Sequence, residues 1–285
     1  MVEWLVEPFI YPFMQRGLLA ALIVGVVCAV VGCYIVLRGM AFLGDALAHA
    51  ILPGLALGYI FSGGSSSALS WWALGTAVLT SIGISTLSRG ARIRQDTAIG
   101  IIFAGMFALG VALISSIRSY AVDLAHFLFG NILGVTNADI WLMAGVGGAA
   151  LVLIALFYKQ FLIMSFDPIL AATLRLPIHV LETMLYVLIA VSIVVSLQTV
   201  GVSLVVAMLV TPAAAAYLLT KKMRTMMLLA VLIAVFSGVV GLYSSYYLNI
   251  ASGAAIVLVC TGVFGFVWFW QRLFPKKRKA EASTQ

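Results

Sequence analysis

The chain has 285 residues, of which 64% are apolar and 9% charged, with a formal net charge of +7 and a mean hydropathy of +1.18. An ordinary soluble domain carries about 25% charged residues, so this composition cannot clothe a water-facing surface. It argues against a soluble enzyme, a disordered protein and a nucleic-acid-binding module.

Nine runs approach the roughly 20 apolar residues needed to cross a hydrocarbon core about 30 Å thick. They fall at 17–37, 40–61, 68–87, 97–117, 138–158, 180–199, 201–220, 226–247 and 251–271. A lipid-embedded backbone must satisfy its own hydrogen bonds, which predicts a helix for each run. The alternating short strands of a membrane β-barrel are absent. The expected fold is all-α: a polytopic membrane helical bundle over residues 1–275, followed by a basic tail over 276–285.

The first run does not read as a cleaved signal peptide, because its leader carries Glu3 and Glu7 and no small-x-small site follows. Cys28, Cys33 and Cys260 all fall inside runs without C-x-x-C spacing, so neither a disulfide framework nor a zinc knuckle is indicated. The second run contains GDALAHAILPG, residues 44–54. An ionisable group inside a span costs a few kcal/mol or more and so points to function. Asp45 and His49 are four residues apart, which stacks them on one helix face. Carboxylate with imidazole suits a divalent zinc, iron or manganese ion. A mutual or interhelical pairing of the two side chains and a proton relay through His49 are the alternatives. Pro53-Gly54, one turn later, is expected to break or kink the helix, as in the broken helices that line transport sites.

Asp96 with Thr97 opens the fourth run, as an N-cap or as a polar group with a further role. Gly100, Ala104 and Ala108 form a small-residue stripe that favours close helix approach. Residues 119–137 are amphipathic and too short to cross, and read as an external or re-entrant helix. There Asp123 and His126 either meet an arriving cation or form a solvated face. Residues 160–179 combine an apolar face, the helix start Asp167-Pro168 and Arg175 near the end. This predicts a short cytoplasmic helix that packs under the bundle or against a soluble partner. His179 and Glu182 read as charges at the start of the sixth run, and Thr211-Pro212 as a kink in the seventh.

Positive charge follows the third run (Arg89, Arg92, Arg94), the fifth (Lys159, Arg175), the seventh (Lys221, Lys222, Arg224) and the last (Lys276, Lys277, Arg278, Lys279). With nine alternating spans all four groups lie on one side, and the positive-inside rule makes that side the cytoplasm. The N-terminus is then outside and the C-terminus inside; Arg16 and Arg118 dissent as single charges. The terminal KKRK run reads as a topology signal beside lipid rather than a nucleic-acid patch. No G-x-x-x-x-G-K-[ST], H-E-x-x-H or G-x-S-x-G motif is present. Energy, if any is used, must come from an ion gradient or a separate subunit.

Five motifs in order then resemble the permease subunits of metal-ion ATP-binding-cassette importers, which take up manganese, zinc or iron(II). They are GDALAHAILPG at 44–54, DTAIGI at 96–101, DLAHFLFGNILGV at 123–135, FDPILA at 166–171 and QTVGVSLVVAMLVTPAAAAYLL at 198–219. The resemblance implies a type II-like importer permease of eight or nine spans with a cytoplasmic coupling helix, itself no enzyme and holding no permanent cofactor. Its implied partners are a cytoplasmic ATPase, an extracellular metal-binding protein and a second permease chain, identical or related, within the plasma membrane and its lipid; no nucleic acid is implied. It assigns the metal path to Asp45 and His49 and the ATPase contact to Phe166, Asp167 and Pro168. Asp123 and His126 match a motif without acquiring a role from it. Among the metals, manganese is preferred over zinc and iron(II). The rival reading is a secondary, proton-coupled metal transporter that works without an ATPase.

Overall fold

The computed structural model describes residues 10–62, 66–91, 93–116 and 132–273. Among them the secondary structure is helical throughout: α1 (Pro12–Leu37), α2 (Leu43–Ala50), α3 (Leu52–Ser62), α4 (Ser66–Gly90), α5 (Gln95–Ser115), α6 (Asn137–Leu156), α7 (Tyr158–Phe166), α8 (Pro168–Thr173), α9 (Ile178–Val200), α10 (Val202–Leu219), α11 (Met223–Leu248) and α12 (Ser252–Leu273). Among the described residues nine stretches are long and apolar enough to span, α2 and α3 together making one of them. Each matches one run expected from sequence. The Asp123–His126 pair and the basic tail lie outside the described residues.

Two helices form the centre. α1 is buried nearly all round, at Ala20, Ala21, Val24, Cys28, Val31 and Ile35 among others, with α10 and α11 packed along it. Its small residues allow this. Gly25 lies close to Ala234 of α11, and Gly32 faces the backbone of Leu209 on α10, where any side chain would collide. α9 is the second central helix and packs against α4, α6, α1 and α2. α5, α6 and α12 lie at the rim. α10 stays helical across the buried Pro212, so the expected kink does not interrupt it.

The two ends of the bundle differ. One end gathers the last turns of α1, α4, α10 and α12, the first turns of α5, α9 and α11, and all of α7 and α8. It carries Arg38, Arg89, Arg94, Lys159, Arg175, Lys221, Lys222, Arg224 and Arg272, whereas Arg16 is the only described Lys or Arg at the other end. At the basic end the guanidinium of Arg224 lies over the Tyr158 ring, and Gln271 donates to the Leu218 carbonyl. At the other end Tyr11 meets Tyr246, and Ser70 donates to Gln198.

Two expectations change. The stretch 160–179 is not one helix: Asp167, with φ −143°, separates α7 from α8, and Arg175 turns the chain with φ +53° before α9 begins. Pro168 imposes the break, because the residue before a proline is pushed out of the helical region. The small-residue stripe of α5 is not packed against another helix among the described residues. No heavy atom lies within 4 Å of a Cβ placed on Gly100, and Ala104 and Ala108 are exposed.

Candidate functional site

The second span breaks where its sequence requires it. Pro53 has no N–H, so the His49 carbonyl loses the bond that residue 53 would donate. α2 accordingly ends at Ala50 and α3 starts at Leu52. Glycines seat the broken segment on both sides. A Cβ on Gly54 would collide with Thr76 and the Trp72 carbonyl of α4, and one on Gly110 of α5 would stand 2.6 Å from the Leu52 Cβ and 3.1 Å from Pro53. Larger residues at either position would lift α3 away from its neighbours.

On α2, Asp45 lies in the first turn, where the helix dipole favours a carboxylate. His49 stands one turn on, with its Nε2 3.5 Å from Asp45 Oδ1. That is longer than the about 2.7–2.9 Å of a charge-assisted hydrogen bond. It matches two donors sharing one ion: ligands each about 2.1 Å from a tetrahedral centre lie about 3.4 Å apart. The same separation lies within ion-pair reach, so mutual pairing, the alternative from sequence, has this geometry as well. The His49 side chain is 29% exposed and that of Asp45 40% exposed, so the pair opens on the surface of the chain.

Aromatic rings hold the imidazole from the α5 side. Phe107 stands edge-on to His49 at 6.0 Å and Phe103 tilts beside it at 6.4 Å, with Phe42 edge-on to Phe103. His49 Nδ1 is buried and has no hydrogen-bond partner among the described residues. Ring packing rather than a hydrogen bond at Nδ1 therefore orients the imidazole. Within the described residues no group of three His, Cys, Asp or Glu side chains comes together. Cys28, Cys33 and Cys260 are buried and form no disulfide among the described residues.

The second candidate lies at the basic end. Asp167 caps α8, its Oδ1 accepting from Leu170 N at 2.9 Å, with Pro168 in the first helical position. Phe166 is 58% exposed and Ile169 81%, with Leu170 and Leu174 also exposed, whereas Ala171 is buried. α7 is anchored beneath them: Phe161 is buried and stands edge-on to Tyr34 of α1 at 5.9 Å. Three consecutive sequence candidates thus occupy a seated turn whose apolar side has no cover among the described residues.

The remaining candidates fall differently. Asp96 lies exposed in the first turn of α5, whose N-cap is Arg94 without a side-chain bond, so it is a helix-start charge and no cap. His179 is exposed. Glu182 is not the exposed helix-start charge that its position suggested. It is 7% exposed, takes Arg38 Nη2 at 2.5 Å and accepts from Gln95 Nε2 at 2.6 Å. Sequence offered one cue to this pairing, Arg38 as a lone cation directly after an apolar run.

The comparisons with known proteins agree with this architecture. A family model described as the ABC 3 transport family matches residues 10–271. The chain is 44% identical over 281 residues to the manganese transport system membrane protein MntC of Halalkalibacterium halodurans, covering 96% of this chain and 95% of that one. It is 36% identical to the chelated iron transport system membrane protein YfeD of Yersinia pestis, over 98% of this chain and 93% of that one. Among solved structures, PsaBC from Streptococcus pneumoniae in complex with Fab superposes with a TM-score of 0.80 at 38% identity, over 95% of this chain and 99% of that one. An inward-facing metal-chelate type ABC transporter shares the fold at a TM-score of 0.73 and 14% identity, over 90% of this chain and 86% of that one.

Proposed function

The chain belongs to the ABC 3 transport family, and on that premise we propose that it is the membrane permease of an ATP-driven importer for a divalent transition metal, manganese before zinc or iron(II). The observation that carries the reading is the Asp45–His49 pair: two donors at the separation of ligands on one ion, beside a broken helix, half open at the chain surface. A second permease chain completes the site. Two copies bring two carboxylates and two imidazoles, and the paired charges of the carboxylates offset the dication. Oxygen with imidazole fits manganese, iron(II) or zinc and disfavours copper(I), which selects sulfur ligands.

The basic end faces the cytoplasm on this reading, in keeping with the positive-inside rule, and the N-terminus lies outside. Phe166, Asp167 and Pro168 then present the α7–α8 turn to a cytoplasmic ATPase, and the exposed Ile169 and Leu174 supply apolar contact. An extracellular metal-binding protein delivers the ion at the opposite end. ATP hydrolysis in the partner moves the α7–α8 turn, and the bundle changes the side to which the site opens. The bound ion exchanges part of its hydration shell for Asp45 and His49.

Proteoliposomes holding this chain, its ATPase and the binding protein test the reading. Manganese uptake that requires both ATP and the ATPase, and that is lost in Asp45→Asn while assembly is retained, is the expected result. Uptake that persists without the ATPase means a secondary transporter. Unchanged uptake by assembled Asp45→Asn removes the metal site.

A further inference from the structure

The buried charges at the basic end are not needed to hold a metal or to face an ATPase, yet they are placed between the two candidate sites. Glu182 sits in the second turn of α9, the first helix after the α7–α8 turn. Its Oε1 takes Arg38 at 2.5 Å and Gln95 at 2.6 Å. Arg38 is the C-cap of α1 and is followed by Gly39 at φ +68°, a turn that leads directly into α2. Gln95 is the first residue of α5, the helix whose Phe103 and Phe107 stand against His49. One carboxylate therefore ties α9 to the start of both helices that build the Asp45–His49 site.

The neighbouring side chains of α9 repeat the tie. Tyr186, one turn after Glu182, donates its hydroxyl to Met40 Sδ at 3.3 Å and lies under the Arg38 guanidinium, 5.7 Å from its ring centre. The α1–α2 turn is thus held at residues 38 and 40 by two residues on one face of α9. Thr183 holds the remaining neighbour: Arg89 of α4 reaches its hydroxyl at 2.9 Å and the Ser85 hydroxyl at 2.6 Å. Four helices meet within the first turns of α9.

Stability does not require such a cluster. A buried ion pair against hydrophobic residues of the same volume is often neutral or worse for stability, and Arg38 Nη1 is buried with no hydrogen-bond partner among the described residues. Polar ties differ from apolar packing in another way: they fix two elements in one register and have discrete alternatives, which suits a joint that must transmit displacement. We propose that Glu182, with Arg38 and Gln95, is the transmission joint of the permease, positioning residues that convert a movement of the α7–α8 turn into a movement of α2 and α5 at the metal site. This rests on the reading of α7–α8 as the ATPase contact and of Asp45–His49 as the metal site.

Removing Glu182 alone strands Arg38, so the decisive variant is the double replacement Arg38→Met with Glu182→Met, which leaves no unpaired charge. In proteoliposomes with the ATPase and the binding protein, manganese uptake and phosphate release are measured in the same vesicles. The expected outcome is phosphate release close to that of the parent with manganese imported per phosphate down about tenfold, inside the about 5–150-fold range of coupling free energies. Gln95→Leu, which keeps the ion pair, lowers the same ratio about threefold, as befits one hydrogen bond. Should the double variant fail to assemble with the ATPase, Gln95→Leu decides alone. A ratio equal to the parent's overturns the joint. So does a proportional fall of uptake and hydrolysis, which is what a purely structural role produces. Asp45→Asn in the parallel arm separates the two readings: unchanged uptake there overturns the metal site and leaves the joint without its output.

Discussion

Gly110→Ala is the sharpest test of how the broken helix is seated. A Cβ at this position stands 2.6 Å from the Leu52 Cβ and 3.1 Å from both the Pro53 nitrogen and its Cδ. Unstrained carbon contacts need about 3.5–4.0 Å, so α5 and α3 must part by about 1 Å. Neither neighbour can rotate aside, because a Cβ is fixed to its backbone and the proline ring is closed. Overpacking of this kind costs about 1–3 kcal/mol, and the rigidity of the obstruction puts Gly110→Ala at the upper end. At about 2–4 °C per kcal/mol for a chain approaching this size, the midpoint falls by about 5 °C or more.

The assay is thermal unfolding of the purified chain in detergent, with Gly105→Ala in the same helix as control. Nothing lies within 4 Å of a Cβ at Gly105, and alanine is favoured over glycine in a helix by about 1 kcal/mol, so the control keeps or raises the midpoint. The displacement also reaches function: α3 carries the break that ends α2 just after His49, so Gly110→Ala weakens manganese uptake and Gly105→Ala leaves it alone. An unchanged midpoint for Gly110→Ala would refute the account of the seat. A loss of equal size in both variants would mean that any added methyl disturbs α5.

Two further outcomes follow from local geometry. Asp167→Ala removes the bond to Leu170 N and costs about 1 kcal/mol at the α8 cap; faster amide exchange confined to residues 168–173, with weaker retention of the ATPase, is expected, and unchanged exchange speaks against the cap. Cys28, Cys33 and Cys260 are buried, so a water-soluble maleimide labels none of them in the folded chain and all three after denaturation; labelling of folded protein would contradict their placement.

Spans and their order were readable because the period of a membrane helix is set by solvent alone. Twenty apolar residues have one way to satisfy their backbone in lipid, and each run found in the sequence became helical, the second as two helices broken before Pro53. The Asp45–His49 pair was readable for a related reason: i and i+4 share a face in any helix, whatever the tertiary contacts. Glu182 was not readable. A glutamate in an early turn of a helix is ordinarily a solvated charge favoured by the dipole, and only the fold shows Arg38, 144 residues away in the sequence, arriving on it. The stripe Gly100, Ala104, Ala108 misled for the opposite reason. Small residues permit close approach without requiring it, and among the described residues nothing comes within 4 Å of a Cβ on Gly100. The division at Asp167 was half visible, since Asp-Pro marks a helix start; that a separate helix would end immediately before it depends on Phe161 being anchored against Tyr34.

On the proposed reading, Asp45 and His49 are the two ligands that the described residues of one chain bring to the metal, and that number bears on mechanism. A chain that carried all the ligands for a divalent ion could hold it in isolation, and release would require those ligands to separate within one packed bundle, whose core side chains resist small displacements. Two ligands per chain change the problem. Asp45 and His49 share one helix, so in the proposed cycle their mutual geometry would persist, while the distance between two such helices in a proposed pair of chains would set the ligand number. On that reading a small rigid-body shift of α2 would pass the ion from four ligands to two, and from tight binding to release. Such a shift needs a handle at the end of α2 that precedes Asp45, which is where the α1–α2 turn is held by Glu182 and Tyr186. It also needs a counterpart that moves with it, and α5, tied to the same carboxylate through Gln95, carries the rings that keep His49 in place.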